Sequence, residues 1–309
     1  MIAIVGPTAS GKTQLALDIA KSFDVEVVSA DSRQVYRGMD IGTAKPSKEN
    51  QGQVKHHLLD TVYPDEEYNL FLFLKQARVA IDDIRSRGKI PLIVGGTGQY
   101  FWGLINGFQT PEAPPNEGVR SRLRRIVDTQ GPNTIWQLLR DVDPESATSI
   151  HPNNVRRVIR ALEIYQHTGI PMSQVNQKRA ATENTLIIGI TQDRNILYEK
   201  IDARVDMMIN MGWIEEVKLL MDQGYDSGLP SMSGLGYKEI ASHIINGGSI
   251  EEVIKDIKYS THHFAKSQGS WFKINDDRIN WINATKPSML HDALDLISQF
   301  LLVDQELNP

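Results

Sequence analysis

The sequence predicts an α/β protein in which a parallel sheet forms the core and an all-helical domain is inserted into it. Apolar runs at 2–5, 90–94 and 186–190 are typical of buried strands, and helical patterns alternate with them. Such alternation favours a parallel sheet. A basic stretch with helical periodicity separates the last two runs, which indicates an insertion. The predicted domains are a core formed by 1–112 and 184–309 and an inserted helical domain at 113–183.

The loop after the first apolar run has the spacing of a phosphate-binding motif, G-x-x-x-x-G-K-T. It is formed by Gly6, Pro7, Thr8, Ala9, Ser10, Gly11, Lys12 and Thr13. Between a strand and a helix, this spacing lets backbone N–H groups and the helix N-terminus surround an anion. Lys12 adds a full positive charge, and the Thr13 hydroxyl can hold Mg²⁺. We therefore expect a P-loop NTPase-like core that binds a di- or triphosphate, although the motif does not identify the reaction.

The composition excludes several classes of protein. The chain has 309 residues and no cysteine, which excludes disulfides, thiolate catalysis and thiolate zinc sites. Met1 leads directly into the first strand without a signal peptide, and no apolar run has the length of a membrane span. We expect a cytoplasmic enzyme that does not bind membranes.

Charge is distributed unevenly along the chain. The net charge is −5, yet residues 119–180 contain ten basic and five acidic side chains, so this segment is +5 and the rest is −10. A basic module on an acidic body is typical of a protein that binds a polyanion. Solvated arginines on a helical hairpin would give the same pattern, and charge alone does not decide between the two.

A second strand is predicted at 25–28, and Asp31 follows its carboxyl end. Ligands bind at that edge of open α/β sheets, so Asp31 could hold Mg²⁺ through water or act as a base. It could equally be a turn or helix-capping residue. The stretch 34–46 is aperiodic and glycine-containing, and we expect it to be a functional loop over the site. A short strand at 56–60 has adjacent histidines that point to opposite faces, which argues against one shared metal.

A second glycine-rich turn, 95–98, closes the strand at 90–94 and includes Thr97. It brings backbone close to the same edge of the sheet. No Asp follows this strand directly, and the guanine-reading pattern N-K-x-D is missing, so an ordinary ATPase or GTPase is disfavoured. Further helices are predicted at 68–87, 99–106, 117–130, 133–140, 144–150, 155–167, 213–221, 237–245, 250–271 and 288–302, with a long helix that includes 201–208 and a last strand at 278–282.

The sequence alone leaves the role of two sets of arginines open, those at 156–160 and Arg204. Arg156 and Arg160 share a helix face, with Arg157 beside them, after a turn at 151–154. Arg204 lies next to an apolar helical stripe, where a solvated or salt-bridged arginine is the simpler interpretation. A polar stretch up to 184 is expected to be the linker that returns to the core.

Several blocks together closely resemble the tRNA dimethylallyltransferases. The blocks are 6–13, 31–36, 38–46, 95–97, 160–163 and 236–239. The likeness covers nearly the whole chain. It implies a kinase-like P-loop core, an inserted helical domain, no ATP hydrolysis, and transfer of a dimethylallyl group from dimethylallyl diphosphate to N6 of the adenosine on the 3′ side of the anticodon. The substrates would be tRNAs reading codons that begin with U, bound through the anticodon stem-loop by a monomer.

The resemblance also implies residue roles. Asp31 would be the general base or would position N6. The diphosphate would contact Thr8, Gly11, Lys12, Thr13 and Arg204, with Mg²⁺ as cofactor near Thr13. The tRNA contacts would be Asp31, Ser32, Arg33, Gln34, Thr97, Arg120, Arg156, Arg157, Arg160 and Lys266. Family members commonly carry two arginines near Lys266 where this chain has His262 and Ser267, which puts the RNA contacts at that point in doubt.

Three other functions share part of this pattern. A prenyltransferase acting on free adenine nucleotides would keep the loop and Asp31 without needing the insertion. A small-molecule kinase would turn over ATP with a hydroxyl acceptor. A non-catalytic nucleic-acid-binding module would need Asp31 for binding at most.

Overall fold

A computed structural model describes residues 1–108, 111, 113–175 and 184–307. The chain divides into two compact units, one formed by Met1–Leu104 with Glu183–Pro309 and the other by Ile105–Thr182. The predicted return linker and the predicted domain ends at 112 and 183 lie largely outside the described residues. No helix in the described part of the chain is long and apolar enough to cross a bilayer.

The first unit contains a sheet whose described strands are all parallel. The strands are β1 (Ile2–Val5), β2 (Val25–Ser29), β3 (His56–His57), β4 (Ile90–Gly95), β5 (Leu186–Thr191) and β6 (Ile279–Asn283). Their order is β3-β2-β4-β1-β5-β6. Since β4 lies between β1 and β2, the loops that follow these three strands meet at one edge. The predicted parallel sheet is confirmed.

The helices of the chain agree with most of the predicted segments. They are α1 (Lys12–Ala20), α2 (Lys48–Gln53), α3 (Leu70–Ser86), α4 (Gly98–Ile105), α5 (Glu117–Gln130), α6 (Pro132–Val142), α7 (Pro144–Ser149), α8 (Val155–Thr168), α9 (Met172–Val175), α10 (Arg194–Asn210), α11 (Trp213–Asp222), α12 (Tyr237–Asn246), α13 (Ile250–Gln268) and α14 (Met289–Leu307). The short α2 and α9 were not predicted, because a helix of one or two turns carries too little apolar periodicity.

Several predicted boundaries were wrong by a few residues. The helix expected over 250–271, for example, ends at Gln268, and two other boundaries have clear local reasons. The helix expected from residue 68 begins at Leu70, because the Asn69 side chain accepts a hydrogen bond from the Leu72 N–H and caps it. The strand expected over 56–60 ends at His57. Leu58 and Asp60 have φ values of 64° and 52°, a left-handed conformation that ends a strand.

Two large apolar clusters lie in the described part of the first unit. One lies between the sheet and helices α1 and α14, and includes Ile4, Ile19 and Ile297. The other joins α10 to α13 around the buried rings of Trp213 and Tyr237. The first cluster holds the strands in place. The second cluster holds α10, which carries Arg204, and also packs against the loop at 34–46.

The second unit has its own core. Leu123, Ile135, Leu139 and Val158 come from α5, α6 and α8 and pack together. The buried residues on α8 follow helical spacing, which is why the amphipathic pattern was readable from the sequence.

Candidate functional site

The loops after β1, β2 and β4 surround a cavity of about 470 Å³ in the first unit. Its lining includes residues 8–14, Asp31, Gln34, Gly96, Arg204 and Gln268. The phosphate-binding loop, the carboxylate after β2 and the arginine on α10 are therefore brought together, as the sequence predicted for the edge of the sheet.

The backbone conformation of the loop after β1 directs donors toward the cavity. Gly11 has φ of 95° and Ala9 has φ of 62°, and Gly11 occupies the N-cap position of α1. No side chain caps α1, and its first turn contains no acidic residue. The N–H groups at this helix end are thus available to an anion, with the positive end of the helix dipole behind them.

Three charged side chains line the cavity. Lys12 Nζ donates to Gly6 O at 3.0 Å and to Pro7 O at 2.7 Å. Burial, together with the charge of Arg204, lowers the pKa of Lys12 to about 8, and the charge of Asp31 acts in the opposite direction. Burial also lowers the pKa of Arg204. Two cations that are poorly solvated in the free protein gain strongly from an anionic ligand.

The structure does not support the simpler interpretation of Arg204, a solvated or salt-bridged side chain. Its Nη1 lies 3.5 Å from the hydroxyl of Thr8, and it is half-buried. Among the described residues it forms no ion pair with a carboxylate. The arginine therefore supplies positive charge beside the phosphate-binding loop rather than a surface salt bridge.

Asp31 makes the hydrogen bonds of a turn residue and also lines the cavity. Its Oδ1 accepts hydrogen bonds from the N–H groups of Arg33 at 2.8 Å and Gln34 at 3.4 Å, which fixes the turn after β2. The Thr97 hydroxyl accepts from the Ser32 N–H at 3.1 Å and holds the same turn against β4. Oδ2 has no hydrogen bond in the described part of the structure, so one oxygen of the carboxylate can accept a proton.

Gln34 ties the turn to the loop at 34–46. Its Oε1 accepts from the Ser29 hydroxyl at 3.0 Å, and its Nε2 donates to Thr43 O and Ala44 O, both at 3.2 Å. The backbone from Asp40 to Gly42 donates in turn to the carboxylate of Glu216 on α11. The loop is thus docked on the helical cluster. Glu216 was not singled out from the sequence, because nothing local distinguishes it from other acids in a first helical turn.

Gln268, at the end of α13, bridges two of the three loops. Its Oε1 accepts from the Thr8 N–H at 2.8 Å, and its Nε2 donates to Gly96 O at 3.0 Å. The side chain is 5% exposed. A Cβ at position 96 would lie 2.3 Å from Nε2, so the bridge requires glycine there. Gln268 therefore sets the spacing between the phosphate-binding loop and the turn after β4.

Replacing Gln268 by leucine should weaken anion binding. The substitution leaves the Thr8 N–H and Gly96 O unpaired, which costs about 1–3 kcal/mol and allows the loop to move. We expect the affinity for inorganic diphosphate with Mg²⁺, measured by calorimetry, to fall roughly 5- to 30-fold. Ser267→Ala is the control, because the Ser267 hydroxyl donates only to Phe264 O of its own helix. Unchanged diphosphate affinity in Gln268→Leu would contradict the positioning role.

The other residues expected to contact RNA lie outside the cavity lining. In the first unit, Arg33 donates to Pro230 O and Ser231 O, and Lys266 is exposed on α13. His262 stacks on Tyr198 at 4.0 Å and pairs with Asp202 at 2.8 Å. The histidine therefore packs α13 against α10 instead of presenting a free charge.

The four arginines of the second unit that were expected to contact RNA fall into two groups. The fully buried carboxylate of Glu163 accepts from Arg120, from Arg160 and from the Asn116 N–H. These charge-assisted hydrogen bonds hold the pKa of Glu163 below its usual value against the opposing effect of burial. Arg156 and Arg157 are exposed and have no ion-pair partner within the described ranges. Arg120 and Arg160 thus stabilise the helical unit, while Arg156 and Arg157 carry free charge.

Comparison with known proteins identifies relatives over nearly the whole chain. A family model for IPP transferase matches residues 34–275, and one for isopentenyl transferase matches residues 1–63. A tRNA dimethylallyltransferase from Roseiflexus castenholzii is 45% identical over 97% of this chain and 97% of its own length.

Solved structures show the same similarity. The tRNA isopentenylpyrophosphate transferase of Bacillus halodurans is 37% identical, with a TM-score of 0.73 over 99% of this chain and 98% of that one. A eukaryotic dimethylallyltransferase acting on tRNA is 29% identical, with a TM-score of 0.81 over 98% of this chain and 79% of its own.

Proposed function

This chain belongs to the IPP transferase family and transfers a prenyl group to tRNA, and we propose that the donor is dimethylallyl diphosphate and the acceptor is N6 of the adenosine that follows the anticodon. Diphosphate would be released, and the substrates would be tRNAs that read codons beginning with U. The observation that supports this proposal is the shared cavity of Lys12, Arg204 and Asp31, in which an anion-binding end and a proton acceptor lie together.

The cationic side of the cavity suits a diphosphate leaving group. In the transfer, the bond between the allylic carbon and the bridging oxygen breaks, and its electron pair stays on the diphosphate. Negative charge therefore grows on that oxygen, where Lys12, Arg204 and the loop N–H groups would stabilise it. Donors fixed in advance at such a position are among the largest contributions to catalysis.

Asp31 would receive the proton that the acceptor loses. An exocyclic adenine amine is a weak nucleophile, and its lone pair forms the new N–C bond while one N–H proton leaves. Oδ2 of Asp31 can take this proton, while Oδ1 keeps the turn in place through Arg33 and Gln34. The adenine must leave its stack to reach the cavity, and bases of a single-stranded loop do so readily.

The donor set of the cavity fits Mg²⁺. Thr13 supplies a hydroxyl and Asp31 a carboxylate to the same lining, and hard oxygen donors are the ligands that Mg²⁺ prefers. Across the described residues there is no cluster of three acids or histidines that would hold a metal alone. This agrees with an ion bound mainly by substrate phosphates and water. Thr13 would hold it, and it would supply charge neutralisation at the diphosphate.

Incubation of the purified protein with labelled dimethylallyl diphosphate and bulk tRNA tests the proposal. We expect label in N6-dimethylallyl adenosine after nucleoside analysis, and no label in free AMP offered as acceptor. Rapid consumption of ATP with a small hydroxyl acceptor, and no labelled RNA, would instead indicate a kinase. Label in AMP would indicate a free-nucleotide prenyltransferase.

Within the second unit, we propose that Arg156 and Arg157 contact tRNA phosphates. Arg156→Ala should weaken binding of an anticodon stem-loop about threefold to tenfold and reduce the slope of log affinity against log salt by about one. Affinity for dimethylallyl diphosphate should not change. Fluorescence anisotropy at several salt concentrations measures the effect. Arg124→Ala is the matched control, since Arg124 is already paired with Glu117; an equal effect in both variants would refute the assignment.

A further inference from the structure

Two large apolar side chains are exposed in the wall of a cavity that most of the other lining residues make polar. Met207 on α10 is 53% exposed and Phe264 on α13 is 46% exposed, and both belong to the lining. Much of the remaining lining carries hydroxyl, amide or charged groups. Exposed apolar groups that converge with a few polar groups in a concave site are typical of ligand binding.

Helix spacing places Met207 and Phe264 next to the residues that contact the phosphate-binding loop. Arg204 and Met207 are three residues apart on α10, and Phe264 and Gln268 are four apart on α13, so each pair shares a helix face. Arg204 reaches the Thr8 hydroxyl and Gln268 reaches the Thr8 N–H. An apolar side chain on each helix thus lies next to a residue that contacts the phosphate-binding loop.

The two helices are fixed against each other. The ring stack of Tyr198 on His262 joins them, and Lys258 pairs with Asp206 at 2.7 Å. Ala265 and Ile201 pack between them in a small buried cluster with Ala9 of the loop. Met207 and Phe264 therefore have a defined position relative to the loop, as a specific binding surface requires.

We propose that Met207 and Phe264 form an apolar wall that binds the hydrocarbon tail of the allylic diphosphate. This assignment rests on the proposed function and specifies how the donor is held. Lys12, Arg204 and the loop bind the diphosphate head, and the apolar wall removes the tail from water. During transfer the allylic carbon gains positive charge as its C–O electron pair leaves with the diphosphate. The face of the Phe264 ring can stabilise that charge, and the wall keeps water from the carbon.

Two ligands used as probes distinguish binding of the hydrocarbon tail from binding of the diphosphate head. Inorganic diphosphate with Mg²⁺ reports the head alone, and dimethylallyl diphosphate reports both. For Met207→Ala and Phe264→Ala we expect the affinity for inorganic diphosphate to stay within about twofold of the wild type. The affinity for dimethylallyl diphosphate should fall roughly 3- to 20-fold, because part of the apolar area that the tail buries is lost. Phe264→Leu should restore most of the binding but not the rate, because it keeps apolar area without a ring.

Matched controls lie on the same helical region outside the cavity. Met211 is 60% exposed just beyond α10, and Tyr259 is 65% exposed on α13, and neither belongs to the lining. Met211→Ala and Tyr259→Ala should bind dimethylallyl diphosphate like the wild type. Equal losses for both probes, or equal losses in the controls, would overturn the apolar wall. A wild type that fails to label tRNA would instead overturn the proposed function, so the two failures are distinct.

Discussion

Asp31→Asn is expected to reduce the rate of prenyl transfer to tRNA by roughly 10²- to 10⁴-fold, the range for removing a positioned base. The asparagine side-chain oxygen can still accept from the N–H groups of Arg33 and Gln34, so the turn after β2 stays in place. The amide that replaces the second oxygen cannot take a proton. Single-turnover kinetics with saturating tRNA measure the loss, while affinity for the anticodon stem-loop should be largely kept.

Comparison with Asp31→Ala distinguishes the base from the turn. The alanine variant loses both the proton acceptor and the hydrogen bonds that fix the turn, and should also bind tRNA less well, because Ser32 and Arg33 are displaced. A thermal unfolding midpoint close to that of the wild type confirms that Asp31→Asn is folded. If Asp31→Asn retains more than about a tenth of the wild-type rate while Asp31→Ala does not, Asp31 acts only through the turn and the base assignment is wrong.

Lys12→Met should reduce kcat/KM for dimethylallyl diphosphate by roughly 10²- to 10³-fold. This is the usual loss when an enzyme loses one fixed hydrogen-bond donor that stabilises a developing negative charge. The methionine has a similar length but no charge. Lys12 is half-buried and its pKa is lowered to about 8, so removing its charge relieves a desolvation cost. Removing its ammonium also leaves Gly6 O and Pro7 O without their donor, which acts in the opposite direction. Urea unfolding is therefore expected at about the same concentration as for the wild type, while activity is lost.

Lys12→Arg is the informative companion variant. It keeps the charge, but a planar guanidinium does not reproduce the contacts of an ammonium with Gly6 O and Pro7 O. An intermediate activity is therefore expected. A Lys12→Met variant that is both inactive and strongly destabilised would show that the lysine mainly holds the loop together, and the role in binding the leaving group would have to be withdrawn.

The distribution of arginines shows where sequence patterns were insufficient. Positive charge over 119–180 indicated a polyanion-binding module, and helix spacing grouped Arg156 with Arg160. The structure separates them, because Arg160 and Arg120 neutralise the buried Glu163. Glu163 comes three residues after Arg160, but its pairing with Arg120 joins residues 43 positions apart. Sequence periodicity does not report a contact of that kind.

The sequence by itself determined the parallel sheet, the phosphate-binding loop and the placement of Asp31 after a neighbouring strand. These features follow from local chemistry: glycines that permit the turn, apolar runs that form strands, and the rule that parallel strands end at one edge. Only the tertiary structure decided that Gln268 joins the Thr8 N–H to Gly96 O, across 260 and 172 residues, and that Met207 and Phe264 line the same cavity. The reason is physical: such contacts depend on how α10 and α13 pack on the sheet, and that packing is a sum of many weak interactions between distant segments.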